Sequence, residues 1–184
     1  MKFCNQCGAA VQLRIPSGDN RQRYVCDACG TVHYQNPLFV VGCVPRYQDS
    51  ILLCRRAIEP RRGYWTVPAG FMEIGETLQQ AAAREALEEA QAEVAIGSLL
   101  SVVHVLHAAQ VHVFFRASLN EPRYGAGVES LEVALVRTAD IPWADLAFPS
   151  TEFTLRRYLE DQAAGGEPHH FTSIERRPRS TSPG

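Results

Sequence analysis

The stretch from Gly70 to Ala92, GFMEIGETLQQAAAREALEEAQA, constrains this chain more than any other. It opens on a glycine turn, Gly70 and Gly75 around Glu76, and then runs on without Pro or Gly. Ala, Leu, Gln, Glu and Arg dominate the remainder of the stretch, so a helix is predicted from about Thr77 to about Gln91. On it Glu85, Glu88 and Glu89 stand at i, i+3 and i+4 and share one face. Ala83, Leu87, Ala90 and Val94 form an apolar stripe on another side, which predicts a helix docked with its acidic face outward. Clustered like charges add nothing to a helix by themselves. They belong either to a solvated face paired with arginines or to a divalent-cation site, because carboxylate oxygens suit Mg²⁺ and Mn²⁺. Spacing alone leaves both readings open.

The order of residues says more. Gly70, five residues, Glu76, seven residues and then Arg84-Glu85-Ala86-Leu87-Glu88-Glu89 resembles the Nudix box, G-x(5)-E-x(7)-R-E-U-x-E-E-x-G-U with U aliphatic. Gly70, Glu76, Arg84, Glu85, Glu88 and Glu89 fall in register. The closing glycine is replaced by Gln91, and the U positions are the small Ala86 and Ala92, which bears on the helix C-terminus more than on chemistry. Just upstream, Trp65-Thr66-Val67-Pro68-Ala69-Gly70 resembles the W-x-x-P-G-G entry to the box, with Ala69 for the first glycine. The resemblance implies an α+β fold, the Nudix α/β/α sandwich with a mixed sheet. It also implies a Mg²⁺- or Mn²⁺-dependent enzyme that cleaves a nucleoside diphosphate linked to another group. Carried across, Glu85 and Glu89 become the principal metal ligands, Glu88 shares the site, and the backbone near Ala69–Gly70 adds an oxygen. Arg84 and Glu76 form an ion pair between loop and helix. The general base is Glu129, Glu132 or a box glutamate, and the sequence does not choose among them.

Four of six cysteines lie in the first 30 residues, as Cys4-x-x-Cys7 and Cys26-x-x-Cys29, each pair followed by glycine. The 18 residues between the pairs suit a zinc ribbon. Two disulfides would need an oxidising compartment, and the N-terminus MKFCNQCG lacks the apolar stretch of a signal peptide. A structural Zn²⁺ and a cytoplasmic protein are therefore expected. So short a ribbon buries little, so the metal should supply most of its folding energy. Arg14, Arg21 and Arg23 lie between the knuckles, but the role expected of the ribbon is structural or dimer-forming. Cys43 and Cys54, each in an apolar run, read as reduced core residues.

The remaining chain divides into a ribbon over 1–35, a main domain over 36–164 and a tail over 165–184 rich in Pro, Ser, Thr, Gly and Arg, expected to be disordered. Strands are expected at 38–44, 51–55, 64–69, 93–96, 99–106, 110–117 and 133–137, and a last helix over 151–163. Phe153, Leu155, Tyr158 and Leu159 should supply that helix's buried side. Trp65 reads as core, His104, His107 and His112 as strand residues, and His169-His170 as a pair without partners. A net charge of −2 and the lack of any long apolar run argue against nucleic acid and against a membrane as partners. A small nucleotide is the expected partner, with a second copy of the chain as the other candidate.

Substrate is the least legible property. A ribbon ahead of the box is similar to the NADH pyrophosphatases, but their S-Q-P-W-P-F-P-x-S array is absent after this box. Phe148-Pro149-Ser150 resembles only its end and lies too far downstream. The run ILLCRRAIEPRRGYWTVPAGFMEIGET looks closer to the group that acts on ADP-ribose and FAD and releases AMP. The NADH pyrophosphatase reading stays as the alternative enzyme, and a Nudix domain that has lost catalysis and senses a ligand is the alternative from another class; intact Glu85, Glu88 and Glu89 speak against the latter.

Overall fold

The first unit is organised by its cysteine turns, because it has almost nothing else to bury. In a computed structural model, which describes residues 1–175, the chain forms two compact units, Met1–Pro37 and the portion from Leu38 onward. In the first, strands β1 (Val11–Arg14), β2 (Arg23–Cys26) and β3 (Val32–His33) make a small antiparallel sheet. Its buried apolar residues are Cys4, Val25 and Cys26. Arg14 pairs with Asp27 and Arg23 with Asp19, so two of the three ribbon arginines are engaged locally.

The second unit is built on a mixed sheet. Its strands are β4 (Leu38–Tyr47), β5 (Ser50–Arg56), β6 (Trp65–Thr66), β7 (Ala69–Phe71), β8 (Val94–Val105), β9 (Gln110–Leu119), β10 (Ser130–Arg137) and β11 (His170–Ile174). The order is β10-β5-β4-β9-β8-β11, with β6 on β5 and β7 on β4. Parallel pairing of β4 with β9 and of β8 with β11 makes it mixed. The expected strand over 64–69 is split by Pro68, which cannot donate to a ladder. Two helices, α1 (Leu78–Ala90) and α2 (Pro149–Ala164), cover the sheet. Alternation along β4 and β9 sends Cys43, Val113 and Phe115 to the alanines of α1, and Val44 and Phe114 to Leu155 and Tyr158 of α2. The result is an α/β/α sandwich. Cys43 and Cys54 are buried free thiols, both pushed up by burial.

Three expectations change. The predicted apolar stripe of α1 faces the core only in part: Ala90 is buried and Val94 packs against the core, but Leu87 is exposed, and the rest of the inner face is Ala81, Ala82, Glu85, Ala86 and Glu89. Alanines let the helix approach the sheet closely, and the approach carries Glu85 and Glu89 inward with them. The outward acidic face is thus Glu88 alone. Second, the expected tail is ordered over its first part, since β11 pairs residue by residue with β8 and His170 finds Asp161. Backbone pairing with an unused sheet edge outweighs a polar composition; residues 176–184 lie outside those described. Third, Phe153 is only partly buried, its ring under the Arg157 guanidinium at 5.7 Å, and Thr151, Thr154 and Asp161 join Leu155 and Tyr158 on the inner side of α2.

The ends of α1 explain themselves. Thr77 caps the N-terminus and forms a reciprocal capping box with Gln80. Gln91 takes the left-handed conformation where the box has glycine, with φ 47° and ψ 33°. Its side chain donates to the Ala126 carbonyl, a contact glycine cannot make. Ala69 is accommodated by Gly42 opposite it: a Cβ at Gly42 would come within 2.4 Å of the Ala69 methyl.

Candidate active site and zinc centre

The charged end of the site is set by Arg84. Its guanidinium binds Glu76 through two bonds of 3.0 and 2.8 Å, and reaches the Phe71 carbonyl at 3.0 Å. The remaining nitrogen donates to Glu85 Oε1 at 2.6 Å and Glu88 Oε2 at 3.0 Å. Glu76 is held down to about 2 by Arg84 and by the Glu73 N–H. One arginine therefore fixes the glycine loop, the helix and the first carboxylate together.

Glu85 and Glu89 are the buried members, 7% and 6% exposed. Burial pushes Glu85 upward despite Arg84, and it pushes Glu89 to about 7 despite the Ala69 N–H, with Glu85 and Glu129 adding repulsion. Each carboxylate has one oxygen engaged, Glu85 Oε1 by Arg84 and Glu89 Oε2 by the Ala69 N–H at 3.0 Å. Each has a second oxygen with no partner among the described residues. Buried, mutually repelling and half-satisfied carboxylates are what a hard divalent cation neutralises, so these side chains fit Mg²⁺ or Mn²⁺.

Gly70 has a steric reason. A Cβ there would lie 2.4 Å from Glu85 Oε2. Because the obstacle is the end of a flexible side chain, Gly70→Ala should displace that carboxylate and leave the fold intact. We expect kcat to fall about 10–100-fold, in line with misplacement by about 1 Å. The melting temperature should shift by no more than about 4 °C, roughly a 1 kcal/mol effect. Steady-state kinetics and a thermal melt on one preparation check both.

The late-loop glutamates separate. The Gly125 and Gly127 N–H groups donate to the Ala90 and Glu89 carbonyls, and the Ala57 N–H donates to the Glu129 carbonyl. These bonds place Glu129 on the wall of the cavity that also holds Glu85, Glu88 and Glu89. Glu132 does not belong there. It is exposed, stands 3.6 Å from Arg55 and is absent from the cavity wall, because β10 turns it toward the paired strand's arginine.

The cavity is about 1020 Å³ and runs from Gly70 and the glutamates past His112 and the start of α2 to Ile174. His112 on β9 lines it, and so does His107, which lies not on a strand but in the 3-10 turn Leu106–Ala108 between β8 and β9; Trp65 packs against the core as expected. His112 is buried, with Nδ1 2.9 Å from Ser150 Oγ and Nε2 2.9 Å from Gln110 Oε1. Burial lowers it from 6.5 to about 4, so it is neutral at pH 7. An unfolded imidazole takes its proton near 6.5 and this one near 4, so its contribution is whole above pH 6.5 and is lost as pH falls toward 4. We expect a loss of about 3 kcal/mol across that window, absent from His112→Gln. Urea unfolding of both proteins at pH 7.5 and 4.5 reads the difference. Neither the Ser150 contact nor the Ile174 wall was legible in sequence, since both are long-range.

In the first unit, the four sulfurs of Cys4, Cys7, Cys26 and Cys29 lie within 4.8 Å of one another. The Cys4–Cys29 and Cys7–Cys26 separations are 3.7 and 3.5 Å. Tetrahedral thiolates on Zn²⁺ stand about 3.8 Å apart, so the set fits zinc. Thr31 holds the Cys29 thiol down to about 6 through its hydroxyl and backbone N–H. Buried His33 places Nε2 3.3 Å from Cys4 Sγ, an outer contact that spacing did not reveal.

Fold and site together define a sandwich of the carboxylate-helix type with an attached zinc ribbon. Residues 2–35 match the family model described as Nudix N-terminal, and residues 37–159 match the NUDIX domain. The crystal structure of a NUDIX hydrolase from Nitrosomonas europaea is 50% identical, with a TM-score of 0.92 over 96% of this chain and 100% of that one. An ADP-ribose pyrophosphatase from Streptococcus suis shares the fold at 19% identity, with a TM-score of 0.63 over 74% of this chain and 99% of that one. Among curated relatives, the NAD-capped RNA hydrolase NudC of Vibrio vulnificus is 40% identical over 94 residues, 51% of this chain and 34% of that one. NudC of Photobacterium profundum is 31% identical over 162 residues, 87% of this chain and 57% of that one. The chain thus spans between a third and three fifths of these curated relatives. It belongs to the Nudix hydrolase family and carries that family's N-terminal zinc ribbon. Among the described residues, no helix is long and apolar enough to cross a membrane.

Proposed function

We propose that this protein hydrolyses, with Mg²⁺ or Mn²⁺, the pyrophosphate linkage of a nucleoside diphosphate derivative, with NAD(H)-type dinucleotides first and AMP as one product. The observation that carries the reaction is the pair of buried carboxylates, Glu85 and Glu89, each with a free oxygen on a cavity large enough for a dinucleotide. Glu85 and Glu89 would hold the cation, with Glu88 sharing the site and the Gly70 backbone beside them. The cation supplies charge neutralisation at the phosphoryl oxygens and a lowered pKa for the attacking water. Arg84, fixed by Glu76, keeps Glu85 in place. Glu129, on the cavity wall, accepts the proton of the water.

The NAD(H) preference is supported by the NudC relatives, although the chain spans only part of each. The second reading, ADP-ribose or FAD, is favoured by the missing S-Q-P-W-P-F-P-x-S array. The test is AMP release from NADH, NAD⁺, ADP-ribose, FAD, diadenosine polyphosphate and dATP, with chromatography of the second product. NADH or NAD⁺ in front supports the proposal, and ADP-ribose or FAD in front supports the second reading. Silence across the panel, from folded and zinc-loaded protein, would leave a ligand sensor. RNA carrying a 5′ NAD belongs in the same panel, because the expectation of no nucleic-acid partner rests on net charge alone.

A further inference from the structure

The segment after α2 is held by more than backbone pairing. Arg116 on β9, 5% exposed, donates to the carbonyls of Leu99 at 2.8 Å and Pro168 at 2.9 Å, and to the Asp161 carboxylate. His170 Nε2 lies 3.0 Å from both Asp161 oxygens. A buried charged group is a poor source of net stability, and Arg116 Nε has no partner among the described residues. What the cluster does secure is position: it anchors the start of β11 beside the edge of β8. From there the strand runs parallel to β8 and ends at Ile174, which lines the cavity together with Val105 and His107.

The distance is informative. Counting β7, β4, β9, β8 and β11, the strand lies four spacings from the one that carries Gly70, about 19 Å across the sheet. A diphosphate at the glutamates reaches that far only through a nucleoside attached to it. We infer that β11 is the far wall of the substrate cavity, with Ile174 contacting the nucleoside remote from the cation and the Arg116–Asp161–His170 cluster positioning the strand. The inference rests on the pyrophosphohydrolase reading for its substrate class. The burial alternation along β11 agrees, since His170, Thr172 and Ile174 are partly buried while Phe171 and Ser173 are exposed.

The experiment uses the full chain, with Ile174→Ala, Ile174→Trp and His170→Ala. NADH binding is measured by calorimetry with Ca²⁺ in place of Mg²⁺, and NADH turnover with Mg²⁺. We expect both Ile174 variants to raise Kd and KM at least fivefold with kcat within twofold. His170→Ala, which loosens the strand without touching ligand, should do the same and should speed amide exchange at 170–174. If turnover is nil while the Ile174 variants still weaken NADH binding, the hydrolase reading fails and the wall stands. A Kd within twofold of wild type in both folded Ile174 variants, or no NADH binding by the wild type, overturns the inference.

Discussion

Glu89→Gln is expected to lose about 10³-fold or more in kcat while melting no lower than the wild type in the presence of a chelator. The loss follows from the cation's share of transition-state stabilisation, several kcal/mol, with each 1.36 kcal/mol worth tenfold in rate. The unchanged or raised stability follows from burial. Glu89 is 6% exposed and its carboxyl is pushed up to about 7, so the ionised form is disfavoured in the metal-free fold. Glutamine keeps the shape and can still accept the Ala69 N–H. Added Mg²⁺ should stabilise the wild type and leave Glu89→Gln nearly unmoved, because the stabilisation by a ligand depends on its affinity for the folded state. Kinetics and melts with and without Mg²⁺ test both halves. Full turnover in the variant would remove the box glutamates from the mechanism.

Removal of zinc should have the other large effect, confined to the first unit. Cys26 is fully buried, and the ribbon's remaining apolar core amounts to Cys4 and Val25. Structural zinc contributes on the order of 10 kcal/mol in comparable small domains, far more than such a core supplies. Cys26→Ser, or a strong chelator, should therefore abolish amide protection across β1–β3 and release the metal. The second unit has, among its described residues, three apolar clusters of its own. Its amides in β4, β5 and β9 should keep their protection. Exchange measured by mass spectrometry, with zinc content determined on the same sample, gives the answer. Persistent protection in a zinc-free ribbon would overturn the structural role.

The motifs were legible because their spacing is local. Two CxxC turns and a box of fixed intervals each describe residues that meet through a single turn or helix, so sequence distance stands in for spatial distance. The same logic predicted α1 nearly to its caps. It was only half right about which side of α1 faces inward. The predicted stripe included Ala90, which is buried, but also Leu87, which is exposed; close packing chose Ala81, Ala82 and Ala86 instead, and they brought Glu85 and Glu89 in with them. Composition likewise predicted disorder after Gly165, where an open sheet edge and the buried Asp161 instead recruit the segment from His170 to Ile174.

The chain by itself supplied the candidate sets: four thiols at zinc-ribbon spacing, and box glutamates, with the arginine that orients them, whose reading as a site for a harder cation rests on the resemblance. Those are properties of residue type and interval. Only the tertiary structure decided that Glu129 and not Glu132 faces the cavity, that His112 is buried against Ser150, and that Ile174 closes the far side. These positions depend on strand order and register between segments distant in sequence, and a one-residue change of register would turn each side chain to the opposite face.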